Sequence, residues 1–181
     1  VSSPQALSDS DRRRVAAWAA DCAERVLALF EAEAPTDRRP RDAIERARAY
    51  GRGELGTAQE IRRRFVAGRA AASVSSPAAV AAARAAAQAS AVAHMGAHAL
   101  GAAAYAARAA GLAAPDHTAA TRGEIDWQIA HMTPPVRAAL ARLPLLGHDS
   151  AGPLGTGLLT SASLGPIIRE LQAAAGPPDR Q

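Results

Sequence analysis

The residues best placed to do chemistry are two histidines, His94 and His98, four apart in an Ala-rich stretch over 77–112. At about 100° per residue of an α-helix, positions 94, 98, 101, 105 and 108 fall on one stripe. His94, His98, Gly101, Tyr105 and Arg108 would then share a face, with the two imidazoles one turn apart. Such a pair can bind a single metal ion. A zinc peptidase of the His-Glu-x-x-His kind carries glutamate directly after the first histidine, whereas Met95 stands there and leaves the general-base role vacant. A third ligand would have to come from His117, Glu124, Asp126 or His131. The preferred reading is a pair of core histidines hydrogen-bonded to carbonyls or carboxylates, with no metal and no cofactor.

A second polar run, Glu124-Ile125-Asp126-Trp127-Gln128-Ile129-Ala130-His131, puts Glu124, Trp127, Gln128 and His131 on one broad helical face. That face could meet the His stripe in a seam between helices. Acid-base chemistry by Glu and His is one use of such a seam; a satisfied polar network that sets helix register is the preferred one. The candidate ligand pocket is therefore His94, His98, Tyr105, Glu124, Trp127 and His131, in the usual place for a ligand between helices. None of the six is assigned a catalytic role. Cys22 sits in register with Trp18 and Val26 and reads as a small hydrophobe. Being the single cysteine, it excludes an internal disulfide and a Cys-based metal cluster. The Gly-rich run at 152–157 lacks the strand context and Lys-Ser/Thr ending of a phosphate loop.

The elements that must position these residues all read as helices. Ser8, with Asp11 three residues on, starts a helix that runs to about Glu33 with Val15, Trp18, Cys22, Val26, Leu29 and Phe30 on its buried stripe. Ala34-Pro35 ends it. Pro40 begins a second helix, which stops at Gly51-Arg52-Gly53. Thr57-Ala58-Gln59-Glu60 forms a capping box for a third, through Phe65 to about Val74. Ser75-Ser76-Pro77 starts the Ala-rich stretch, expected as one long central helix ending near Gly111. Helices are expected from about Thr118 to Met132, from Pro134-Pro135 to Leu143, and from Ser163 to Ala175. Residues 1–143 would form the bundle, and 144–181 a Gly-, Ser- and Leu-rich extension, irregular for much of its length, with a frayed tail from Gly176. No period-two strand is seen, so the expected class is all-α: a multi-helix bundle around a buried Ala-rich helix.

Composition sets further bounds. Of the 181 residues 49% are hydrophobic, but more than half of those are alanine and the aromatics are only 3%, so the core must be shallow and closely spaced. Its few large anchors are Trp18, Leu27, Phe30, Ile44, Phe65, Trp127 and Leu140. All 21 basic residues are arginine. A phosphate-binding surface would use them, but GC-rich codons explain the joint excess of Arg, Ala, Gly and Pro better. The runs at 12–14 and 62–64 read as solvated helix faces. The net charge of +4 is modest and, in the first half, interleaved with acids, so nucleic acid is not a favoured partner. No signal segment is seen, and Arg84, Gln88, His94, His98 and Arg108 interrupt the one stretch that could be mistaken for a membrane span. A cytoplasmic protein is the default.

An ordered set of motifs is more specific than any of these features. Trp18-Ala19-Ala20-Asp21-Cys22-Ala23-Glu24-Arg25-Val26-Leu27 is followed by Phe30-Glu31 and then by Asp37-Arg38-Arg39-Pro40-Arg41-Asp42-Ala43-Ile44-Glu45. Ala93-His94-Met95-Gly96-Ala97-His98-Ala99-Leu100-Gly101-Ala102 comes next, then Trp127-Gln128-Ile129-Ala130-His131, with Pro134 and Arg137 behind it. Over about residues 8–142 this order resembles the all-α immunity proteins of bacterial polymorphic-toxin systems, the type-five-like group. The resemblance implies a helical protein that binds and neutralises a cognate toxin domain and does no chemistry. There are two departures. The family pattern has a Gly-His pair one and a half turns before His94, where this chain has Ala87-Gln88, and a site using that histidine would be altered. The tail after Pro144 is also longer than the pattern. The rival reading is a small-molecule-binding protein or enzyme with its pocket at the His94/His98 stripe. Self-association is compatible with either.

Overall fold

The computed structural model describes residues 3–63 and 66–176, and among them every regular element is helical. The first helix, α1, spans Asp9–Glu24, and the short α2 spans Leu27–Glu31. The Ser8 hydroxyl caps α1 by accepting from Asp11 N–H at 3.1 Å. The single helix expected to about Glu33 is interrupted at Arg25-Val26, where the chain steps sideways so that both Val26 and Phe30 reach the core. Helix α3, Arg39–Gly51, starts at Pro40 as the sequence predicts.

Helix α4 covers Thr57–Arg63, and a 3₁₀ segment follows at Ala67–Ser73 in place of one continuous helix. Thr57 and Glu60, expected to cap one another, turn elsewhere. The Thr57 hydroxyl donates to Asp9 at 2.6 Å, and the Glu60 carboxylate pairs with Arg46. Phe65 lies outside the described residues. Further along the chain, α7 covers His117–Ala130, capped by the Asp116 side chain on Ala119 N–H at 2.9 Å; α8 covers Pro134–Leu140 and α9 Gly165–Ala175.

The largest departure is in the Ala-rich stretch. It forms two helices, α5 (Pro77–Ala91) and α6 (His98–Ala113), folded back on each other through 92–97. The expectation of one unbroken central helix is therefore corrected: the centre of the bundle is α6. Its alanines, Leu100 and Tyr105 are buried almost all round, against α1, α5, α7 and α9. Methyl-sized side chains let these axes approach at the short end of the usual 8–10 Å range. The compact packing expected of alanine is kept, and the length is not.

What turns the chain is the N-terminal arm. Gly96 N–H donates to Ala6 O and Ala97 N–H to Gln5 O, both at 3.1 Å, which satisfies donors of the turn just before α6, a helix that no side chain caps. Leu7, held at φ +61°, packs so tightly on Gly96 that a Cβ there would overlap it. The same arm holds the far end of the chain. The buried Gln5 amide donates to Asp149 at 2.8 Å and accepts from Leu154 N–H at 2.9 Å. Leu154, Leu164, Ile168 and Leu171 enter the common core, and Gln172 accepts from Leu146 N–H at 3.1 Å.

Candidate functional site

The turn at 92–97 decides the geometry of the candidate site. His94 lies in the turn and is exposed, while His98 is the first residue of α6. They are therefore not successive positions of one helical stripe, and their ring centroids stand 6.5 Å apart. From His98 onward the stripe survives. Gly101 faces Gln88 of α5 and Leu159, the Arg84 guanidinium lies 5.8 Å from the centre of the Tyr105 ring, and Arg108 donates to Ser163 at 2.5 Å.

His98 is held by α5. Its Nδ1 is 2.8 Å from Gln88 Oε1, and since an amide oxygen only accepts, His98 Nδ1–H is the donor. The Gln88 oxygen reaches this position across Gly101, where any Cβ would overlap it. Gln88 thus touches His98 directly. Around this pair is an open groove of about 700 Å³. It is lined by Gly68 and Arg69 of the 3₁₀ segment, by Ala87, Gln88 and Ala91 of α5, and by His94 and His98. Sequence reasoning does not single out Gln88 or Arg69 as site residues. The available signal for Gln88 is a polar side chain amid the alanines of α5; nothing local marks Arg69.

The other half of the expected pocket is elsewhere. Glu124 and Gln128 of α7 meet α6 at Ala103, whose carbonyl accepts from Gln128 Nε2–H at 3.0 Å. Ala103 is about 200° around the helix from both Gly101 and Tyr105. The six residues thus divide into His98 and Tyr105 towards α5, His94 in the turn, and Glu124, Trp127 and His131 at the seam with α7. They do not line one pocket. The Tyr105 hydroxyl is buried with no hydrogen-bond partner among the described residues.

The α7 seam is closed by paired charge. The Glu124 carboxylate, 5% exposed, accepts from Arg25 Nε at 2.9 Å. The Arg25 guanidinium lies 4.0 Å over the Trp127 ring, and Trp127 stacks on His131 at 3.9 Å and 20°. His131 Nδ1–H donates to the Trp127 carbonyl at 2.7 Å, and the Trp18 indole N–H donates to the Gln128 carbonyl at 3.1 Å. Cys22 lies nearby, fully buried. Burial, reinforced by the Glu124 charge, pushes its thiol well above the ordinary range, so it stays protonated and unreactive. No group of three or more His, Cys, Asp or Glu side chains suited to a metal ion occurs among the described residues. No helix there is long and apolar enough to cross a membrane.

Fold and site together define an all-helical protein with an open groove on one side of its central helix and a closed ionic seam on another. Residues 5–135 match the family described as "Imm-5 like putative immunity protein", which spans more than half of the chain, and the protein belongs to that family. No curated protein and no solved structure matches it.

Proposed function

We propose that this protein is an immunity-type binding protein that neutralises a cognate bacterial toxin domain in the cytoplasm, and that the surface around the His94/His98 groove is the part that meets the toxin. The observation that carries this reading is the groove itself, within the family-matched residues. It is open to solvent and lined by Arg69, His94 and His98 with no carboxylate among the described lining residues, whereas in the seam the Glu124 carboxylate is already paired with Arg25. A small ligand would bury little of itself in so open a groove, which favours a protein partner over the small-molecule reading.

The test is co-expression with the toxin encoded beside it, followed by pull-down and calorimetry on the purified pair. Protection of the host and a complex with Kd in the nanomolar range or below is expected, in keeping with inhibitory pairs. Neither protection nor a complex would end this reading.

A further inference from the structure

The charge of the chain is unevenly placed. Residues 61–115 contain six arginines and no aspartate or glutamate, while the stretches before and after carry slightly more acids than arginines. The whole positive excess therefore belongs to the end of α4, the 3₁₀ segment, α5 and α6. Arg108 leaves α6 towards Ser163, and the other described arginines of this stretch emerge on the α4–α5 side. Arg62, Arg63, Arg69 and Arg84 are all exposed there, and among the described residues neither Arg69 nor Arg84 has a carboxylate partner. Elsewhere most described arginines touch an acid, Arg14, Arg41, Arg46, Arg48 and Arg52 among them, with Arg137 and Arg169 the exceptions.

From this we infer that the groove between the 3₁₀ segment and the α5–α6 turn docks an acidic segment of the protein partner, with a carboxylate side chain between Arg69 and His94. Resting on the immunity reading above, this adds the chemistry of the partner's surface. Arg69 offers a planar fork that suits a carboxylate. His94, exposed in the turn, lines the same groove as a second polar group. Ala87 and Ala91 give the groove methyl groups against which the methylenes of a glutamate can lie. A nucleic-acid backbone fits less well. Duplex DNA carries a charge about every 1.7 Å, and its affinity comes from neutralising many phosphates at once, whereas the described residues lining this groove supply one guanidinium and two imidazoles, with Arg62, Arg63 and Arg84 outside the lining.

The experiment needs no toxin. Full-length protein labelled with ¹⁵N in its histidines is titrated with a hexaglutamate peptide and, separately, with a thymidine oligonucleotide of the same charge. Hexaglutamate should shift the His94 and His98 resonances and bind more tightly than the oligonucleotide. Arg69→Glu should weaken peptide binding about tenfold or more, and Arg38→Glu, the same charge change at the exposed start of α3, less than about twofold. Unmoved histidines, equal losses in the two variants, or tighter oligonucleotide binding would overturn the inference. Circular dichroism confirms that both variants are folded. Should the peptide behave as stated while toxin pull-down fails, the toxin reading falls and the acidic-segment chemistry stands. A toxin complex alongside unmoved histidines would do the opposite, keeping the toxin reading and removing the acidic segment.

Discussion

The groove at His98 and the seam at Glu124 lie on different sides of α6 and follow opposite rules. In the seam a buried carboxylate is held by Arg25, the guanidinium is held by Trp127, and Trp127 by His131, so the charge is neutralised inside the protein. On another side of α6, Arg69 and His94 line the groove together with Ala87 and Ala91, and both are exposed. Polar side chains of the same kinds thus specify packing in one place and are available to a partner in the other. The difference is whether folding brings a counter-charge to them.

That contrast can be broken most directly at Glu124. Glu124→Ala strips Arg25 of its buried partner and opens a void. Because Arg25 is itself half-exposed and can rehydrate, the expected loss is about 2–3 kcal/mol, below the range for a fully buried pair. Urea denaturation reads it, and Arg69→Glu in the same assay should stay within about 0.5 kcal/mol of wild type. Equal costs for the two would erase the distinction between seam and groove.

Gly101→Ala sharpens the groove side. A methyl there displaces the Gln88 oxygen, so we expect a loss of about 1–2 kcal/mol from overpacking together with a changed His98 Nδ1–H resonance. Stability lost with that resonance unmoved would mean that Gln88 does not hold the ring. The smallest effect is at Asp11, where charge is again matched internally. Burial alone would raise its pKa, but hydrogen bonds from Ser8, Arg142 and Arg14 outweigh this and hold the carboxyl below its ordinary range. The unfolded chain therefore takes up this proton first as pH falls. The contribution of Asp11 is complete above about pH 4 and is lost as pH drops through the lowered native value. Asp11→Asn should cost about 1 kcal/mol at neutral pH and flatten the slope of stability against pH below about pH 4. An unchanged slope in acid titrations followed by circular dichroism would place the acid sensitivity at other carboxylates.

Much of this architecture is legible along the chain. Ser8, Pro40, Ser76-Pro77 and Pro134 start helices where their side chains predict, and Trp18, Leu27, Phe30, Ile44 and Leu140 are buried as expected. Trp127, expected in the core, is only partly buried because it serves as the platform between Arg25 and His131. The site is less legible. Periodicity assembles the polar face of α7 as Glu124, Trp127, Gln128 and His131, but it does not predict that this face and the histidines at 94 and 98 contact different sides of α6. Thr57 and Glu60 illustrate the same limit. A local capping pattern loses to Asp9 and Arg46, partners distant in sequence.

By itself the sequence determined an all-helical protein, the starts of most of its helices, and a close-packed alanine interior, because caps and periodicity act within a turn or two of the chain. Only the tertiary structure decided that the Ala-rich stretch doubles back at 92–97, taking His94 out of the stripe and opening the groove. Gly96 is the local mark of the turn, but a lone glycine in a helical pattern does not by itself end a helix. The instruction to stop comes from the carbonyls of Gln5 and Ala6 and the side chain of Leu7, which reach the turn from the opposite end of the fold's first hundred residues.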